Sequence, residues 1–88
     1  MKIKDGFILR TICGENIVVG EGLAQVNFNR ILSMNESAAY LWQAVTGKEF
    51  TPEDLTKLLL DRYEVTEERA AADVEALLKV WTSEGVVE

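Results

Sequence analysis

Few side chains in this 88-residue sequence could carry out chemistry. The chain has no histidine and one cysteine, Cys13. Without histidine it lacks the usual general base and the commonest metal ligand, and one cysteine cannot supply a cysteine-based zinc site. No basic residue adjoins Cys13 in the sequence to activate its thiol. We therefore expect no catalytic set, no bound metal and no other cofactor.

Two acidic pairs, Glu53-Asp54 and Glu67-Glu68, could suggest metal binding. Each pair lies where the sequence pattern predicts the first turn of a helix, and acidic side chains there stabilise the positive end of the helix dipole. The pairs therefore predict helix starts rather than metal ligands. The segment Gly20-Glu21-Gly22 is too short to be a nucleotide-binding glycine motif, so it predicts a turn.

The elements that would position any binding site begin with strands. Residues 7–12 and 16–19 are rich in β-branched and aromatic side chains, and the short segment 13–15 between them predicts a hairpin. Residues 30–34 predict a third strand. The intervening residues 23–28 fit either a weak strand or an ordered loop.

Three helices follow in the pattern of apolar residues. The first is predicted over residues 36–46, with Asn35 as its N-cap. The second opens at Thr51-Pro52, and the third runs from Thr66 until Gly85 ends it. We expect the chain to form one domain over residues 1–88, of the α+β class, with a three-stranded antiparallel sheet preceding three helices.

Two tryptophans lie within these predicted helices, and each belongs to an apolar stripe. Trp42 shares its stripe with Leu41 and Val45, and Trp81 shares its stripe with Val74 and other apolar residues of the third helix. We expect both tryptophans to be largely buried in a single core.

Charge and composition exclude several classes of protein. No apolar run approaches the roughly 20 residues that a membrane-spanning helix needs, and no signal-peptide pattern follows Met1. Residues 36–88 carry five basic and twelve acidic side chains, a net charge of −7. Such a surface disfavours nucleic-acid binding. With one cysteine and no disulfide, the expected location is cytoplasmic.

A binding surface is therefore the remaining expectation, and residues 30–34 offer one. This segment contains no proline and only one charge, at Arg30. If it is an edge strand beside the third helix, an extended peptide could add to it through backbone hydrogen bonds. The pattern alone equally allows a strand that is paired or covered on both sides.

Several short sequence features then occur in a characteristic order. Asn35, Ala38 and Trp42 have the spacing Asn-x-x-Ala-x-x-x-Trp, and Asp73-Val74 precedes a terminal Gly85-Val86-Val87. Over about residues 7–88, this order and spacing resemble the PQQ synthesis protein D family. The resemblance implies a winged-helix-like fold of three strands and three helices.

The resemblance also implies a function, that of a recognition element for ribosomally made, post-translationally modified peptides. Such domains hold the leader part of a precursor peptide against the third strand and third helix and present it to a modifying enzyme, often a radical SAM enzyme. By the same resemblance, Arg10, Asn35 and Asp73 have structural roles. The implied peptide-binding residues are Arg30, Ile31, Leu32, Ser33, Met34, Val74, Leu77, Leu78 and Trp81.

Two other functions are compatible with the same elements. One is a general protein–protein adaptor, and the other is a DNA-binding winged helix. The charge argues against DNA, because residues 66–84 carry two basic side chains against five acidic ones. The sequence does not identify the peptide, the enzyme or the product, and it leaves a homodimer open.

Overall fold

The computed structural model describes residues 1–22 and 31–88. Within these ranges, three antiparallel strands precede three helices, as the sequence predicts. Likeness to a winged helix stays a prediction. None of the described helices is long and apolar enough to cross a lipid bilayer. The elements are β1 (Phe7–Ile12), β2 (Glu15–Gly20), β3 (Leu32–Met34), α1 (Glu36–Val45), α2 (Pro52–Arg62) and α3 (Glu67–Glu84).

The β1–β2 hairpin closes through only two residues. Ile12 pairs with Glu15, and the residues between them, Cys13 and Gly14, have φ values of 53° and 79°. Two-residue hairpin loops favour positive φ at both central positions, because that geometry matches the twist of the strands. The turn is therefore one residue shorter than the sequence pattern predicts, and Glu15 belongs to β2.

The sheet places β2 in the middle and packs one face on the helices. Leu9, Val18 and Leu32 are aligned across the three strands on that face. Val18 is fully buried, and the other two side chains pack against the core. Arg10 and Ser33 flank Ile17 on the opposite face. The period-2 alternation of the strands thus decides which residues reach the core.

Each helix starts directly after the residue that the sequence predicts as its N-cap. The Asn35 side chain accepts a hydrogen bond of 2.8 Å from the backbone N–H of Ala38. Thr51 and Asp54 form a reciprocal capping box at the start of α2, and Thr66 caps α3. Each cap satisfies backbone donors that a helix leaves unpaired in its first turn.

The two tryptophans meet at the centre of the core. The rings of Trp42 and Trp81 lie edge to face, with centroids 5.2 Å apart and planes at 86°. Their exposed fractions are 2% and 1%, which confirms the prediction that both are buried in one core. The other fully buried large side chains are Leu41, Leu55, Val18, Val74 and Val86.

A terminal ladder holds the two ends of the described chain together. Residues 2–4 pair antiparallel with residues 86–88 through backbone hydrogen bonds of 2.8–3.0 Å. On the other side of the N-terminal segment, Met1 and Phe50 exchange two more hydrogen bonds, of 2.8 and 2.9 Å. Ile3 and Val87, which pair in the ladder, are both buried in the core, so the ladder ties both ends of the described chain to it.

Candidate functional site

The candidate site begins at the edge of the sheet. In the described part of the chain, β3 pairs with β2 alone, and no strand lies on its other side. An unpaired edge presents backbone N–H and C=O groups that can bind another strand. Ile31 precedes β3 directly, and its side chain is 64% exposed. Arg30, also predicted to bind peptide, lies outside the described residues.

A groove opens where β3 ends, between α1 and α3. We call it the α1–α3 groove; its volume is about 450 Å³. A neighbouring recess of about 340 Å³ shares four of its lining residues and extends it toward Tyr63 and Val65. The residues that line the groove are Asn35, Ser37, Ala38, Leu41, Leu59, Arg69, Asp73, Ala76, Leu77 and Val80.

One wall of the α1–α3 groove is a single face of α3. Asp73, Leu77 and Val80 are spaced four and three residues apart, which places them on one side of a helix. Val80 is 46% exposed, and Leu77 is half-buried against the core. A methyl-rich surface therefore lines the same groove as Asn35, which directly follows β3, and Asp73 places a carboxylate beside it.

The structure divides the predicted α3 residues between two faces. Leu77 lines the α1–α3 groove. Val74, Leu78 and Trp81 point into the core instead and are buried. In this structure their side chains pack beneath the α1–α3 groove and are not accessible from it. They belong to the buried stripe of an amphipathic helix, and none of the three lines the α1–α3 groove.

Val80 is one of the groove residues that the sequence reasoning did not predict. It follows Leu77 by three residues and lies outside the buried stripe, so an exposed apolar side chain at this spacing was the available signal. Ala76, on the same wall, carries no comparable signal, because a small side chain is common on any helix face.

The predicted β3 residues also divide by face. Leu32 and Met34 point toward the core, and Ser33 points to the opposite face and is exposed. What β3 can offer a partner is therefore mainly its backbone. Contact of a peptide with residues 31–34 stays a prediction.

The polar residues around the groove have identifiable partners. Besides capping α1, the Asn35 side chain is 3.1 Å from the Ser37 hydroxyl, which donates to it. The Arg69 guanidinium donates from Nε to both carboxylate oxygens of Asp73, at 3.2 Å each. Arg10, on β1, forms an ion pair with Glu21. These contacts fit the structural roles expected of Arg10, Asn35 and Asp73.

Over residues 1–22 and 31–88, the side chains usually found in metal sites are not gathered at the candidate site. Among the described residues, no group of three or more acidic, cysteine or histidine side chains is placed to hold a metal ion. Cys13 is exposed at the tip of the hairpin and does not line the groove. What the candidate site offers is the backbone edge of β3 and, where β3 ends, a groove with an apolar helix face as one wall.

A second groove, larger than the first, lies on a different side of α3. It has a volume of about 880 Å³, and Leu60, Ala71 and Leu78 contribute its apolar surface. Charged side chains such as Glu75 and Lys79 also line it. We call it the α2–α3 groove. The sequence reasoning did not predict it, because it depends on how α2 packs against α3.

A family comparison bears directly on this arrangement. The model of the family described as Coenzyme PQQ synthesis protein D (PqqD) matches residues 17–87, a range that contains most of β2, all of β3 and all three described helices. The chain belongs to the PqqD family. The resemblance seen in the sequence is thereby confirmed, and the α1–α3 groove lies within the PqqD match.

Two solved structures share the fold of this PqqD-family chain. TbiB1, in complex with the TbiA(beta) leader peptide, has a TM-score of 0.78 at 16% identity, over 100% of this chain and 95% of that one. Lasso peptide synthetase B1, complexed with the leader peptide, has a TM-score of 0.72 at 17% identity, over 99% and 95%. A comparison with curated proteins gave no match.

Proposed function

We propose that this chain is a non-catalytic recognition domain that binds the leader region of a ribosomally made precursor peptide. The observation that carries the proposal is that the edge of β3 leads directly into the α1–α3 groove within a PqqD-family fold. The two similar structures were both solved with leader peptides, which supports the proposal that this chain binds one.

The proposed mode of binding is addition of a strand. A leader segment in extended conformation would form backbone hydrogen bonds along residues 31–34 and direct alternate side chains toward α3. Because β3 has only three residues, backbone bonds alone would give limited affinity. Leu77 and Val80 on the groove wall would supply the rest by burying apolar side chains of the peptide.

The bound leader would then be presented to a modifying enzyme. A radical SAM enzyme is one candidate for that partner, and the cytoplasm, where precursor peptides are synthesised, is the expected location. The domain itself would do no chemistry, since its groove residues offer contacts and no nucleophile paired with a base.

The test is a binding measurement with a proline variant. The probe is the fluorescein-labelled leader region of a short precursor encoded beside this chain's gene, titrated with protein in fluorescence anisotropy. Ile31→Pro removes one backbone N–H and fixes φ, so we expect at least a tenfold loss of affinity. Ile31→Ala, which keeps the N–H, should bind within about threefold of the parent.

Glu67→Pro is the matched control for proline itself. Glu67 is the first residue of α3 and is exposed, and proline is tolerated at the first helical position. Circular dichroism should find all three variants folded. A folded Ile31→Pro variant that binds the leader at parental affinity would eliminate the β3 edge as the site.

A further inference from the structure

Arg69 supplies the positive charge among the residues that line the α1–α3 groove. Its side chain is 71% exposed. The Nε atom of Arg69 donates to both Oδ1 and Oδ2 of Asp73, one turn further along α3. Asp73 therefore holds the guanidinium by one edge and sets its orientation.

The other end of the guanidinium is open. Among the described residues, neither Nη atom of Arg69 takes part in a hydrogen bond. The two Nη atoms carry four N–H groups in a plane, a geometry that matches a carboxylate with two parallel hydrogen bonds. Because Asp73 already restrains the side chain, a ligand would lose less rotamer entropy in binding it.

We propose that Arg69 determines specificity by binding the carboxylate of an Asp or Glu in the leader peptide, with Asp73 as its positioning residue. This inference rests on the proposed function, because it concerns the same groove. It narrows the substrate class to leaders that combine an apolar residue with an acidic one.

The geometry of α3 sets the spacing between those two peptide residues. Leu77 and Arg69 are eight residues apart on the helix, or about 12 Å at 1.5 Å per residue. An extended peptide covers that distance in about four residues, at roughly 3.3 Å each. Residues four apart in an extended chain also point to the same side. The acidic residue should therefore lie about four positions from the apolar residue that packs on Leu77 and Val80.

Because the chain as a whole is acidic, a preference for an acidic peptide residue would have to come from a close contact. The net charge is −6, and Glu36 and Asp73 lie near the groove, so the long-range field disfavours acidic peptides. A preference for an acidic peptide residue could then come only from a close contact. Arg69 is the groove residue able to make it.

A peptide-display selection tests the inference directly. Random ten-residue peptides are selected on the immobilised parent chain and on Arg69→Gln, Arg69→Glu and Arg69→Lys variants. We expect the parent to enrich Asp or Glu four positions from an apolar residue. Arg69→Gln should keep the apolar preference and lose the acidic one, whereas Arg69→Glu should enrich Lys or Arg there.

The affinities of the selected peptides show whether the planar guanidinium group of Arg69 is needed or whether its positive charge is enough. For an acidic peptide selected by the parent, Arg69→Gln should weaken binding about tenfold and Arg69→Lys by an intermediate factor, since lysine keeps the charge but not the planar fork. Replacing the peptide's acid with its amide should weaken binding to the parent and leave binding to Arg69→Gln unchanged.

Two results would overturn the inference. In the first, the parent enriches peptides with apolar residues and no acid, or peptides with a basic residue that would pair with Asp73. Arg69 then does not determine specificity, and the proposed function stands. If no variant enriches any peptide, both the proposed function and this inference fail. Because Arg69 is largely exposed, its variants should melt at the parental temperature, which a thermal scan checks.

Discussion

At the scale of single residues, the edge-to-face contact of Trp42 and Trp81 joins α1 to α3. These are the two helices that form the α1–α3 groove. A large aromatic pair of this kind contributes both buried area and a favourable ring geometry. The same contact that stabilises the core therefore also links the two helices on either side of the groove.

Truncation of Trp81 should be strongly destabilising. We expect Trp81→Ala to lower the free energy of unfolding by about 3–5 kcal/mol, a large share of the stability of a small domain. Urea unfolding followed by circular dichroism measures the loss. The neighbouring exposed Val80 provides the control, and Val80→Ala should stay within about 0.5 kcal/mol of the parent. Equal midpoints for Trp81→Ala and the parent would mean that the core does not depend on this ring.

Sequence patterns located the core residues of α3 more reliably than its groove residues. Burial of Val74 and Trp81 follows from a 3.6-residue period and needs no knowledge of neighbouring elements. The role of Val80 depends on α1 and β3 leaving space beside it, which is a property of tertiary packing. The family resemblance predicts peptide-binding residues on α3, but it does not separate the buried face of that helix from the face that lines the α1–α3 groove.

At the scale of elements, β3 is shorter than its sequence suggests. The apolar pattern predicts a strand over residues 30–34, whereas among the described residues 31–34 the structure pairs Leu32–Met34 with β2 and leaves Ile31 outside the strand. The extent of a strand is decided by its partner as well as by its own residues. The helix starts were predictable in contrast, because a cap is a local interaction between a side chain and the next turn.

Two matched substitutions test whether the α3 wall of the α1–α3 groove contacts the leader peptide. Val80→Asp places a carboxylate on the apolar part of the α1–α3 groove, so we expect leader affinity to fall at least tenfold, since an apolar contact is replaced by a charge that must be desolvated. Ala72→Asp adds the same charge to an exposed position of α3 that does not line this groove. It should change affinity less than threefold.

The anisotropy titration described for Ile31 measures both α3 variants. Equal affinities for Val80→Asp and Ala72→Asp would show that the bound peptide does not reach this wall. The β3 edge alone would then have to carry recognition. Helical content of both variants should match that of the parent, because both positions are exposed.

At the scale of the whole molecule, charge separates peptide recognition from the DNA-binding alternative. Residues 36–88, which include all three described helices, carry a net charge of −7. A mobility-shift titration with duplex DNA near 150 mM salt should detect no complex at micromolar protein, because few cations are available to displace phosphate counterions. Sub-micromolar binding that weakens with salt would contradict the proposed function.

The order of elements was predictable from sequence because hairpin, caps and apolar stripes all indicate the same arrangement. The α2–α3 groove was not, since its shape comes from the packing angle between two helices that sequence periodicity leaves undefined. Its lining from Leu60 on α2 and Ala71 on α3 becomes visible only once both helices are placed.

Residues 2–4 and 86–88 run antiparallel in the terminal ladder, so Met1 and Glu88 lie at the same end of it. If the domain were pulled by these two ends, the force would act along the hydrogen bonds between the two segments. The bonds would then break one after another, beginning with those between Lys2 and Glu88. Shear, which loads all bonds at once, would require the ends to lie at opposite ends of the ladder. Under tension the domain would therefore yield first at this ladder, exposing Ile3 and Val87, while β2 and β3 remain paired.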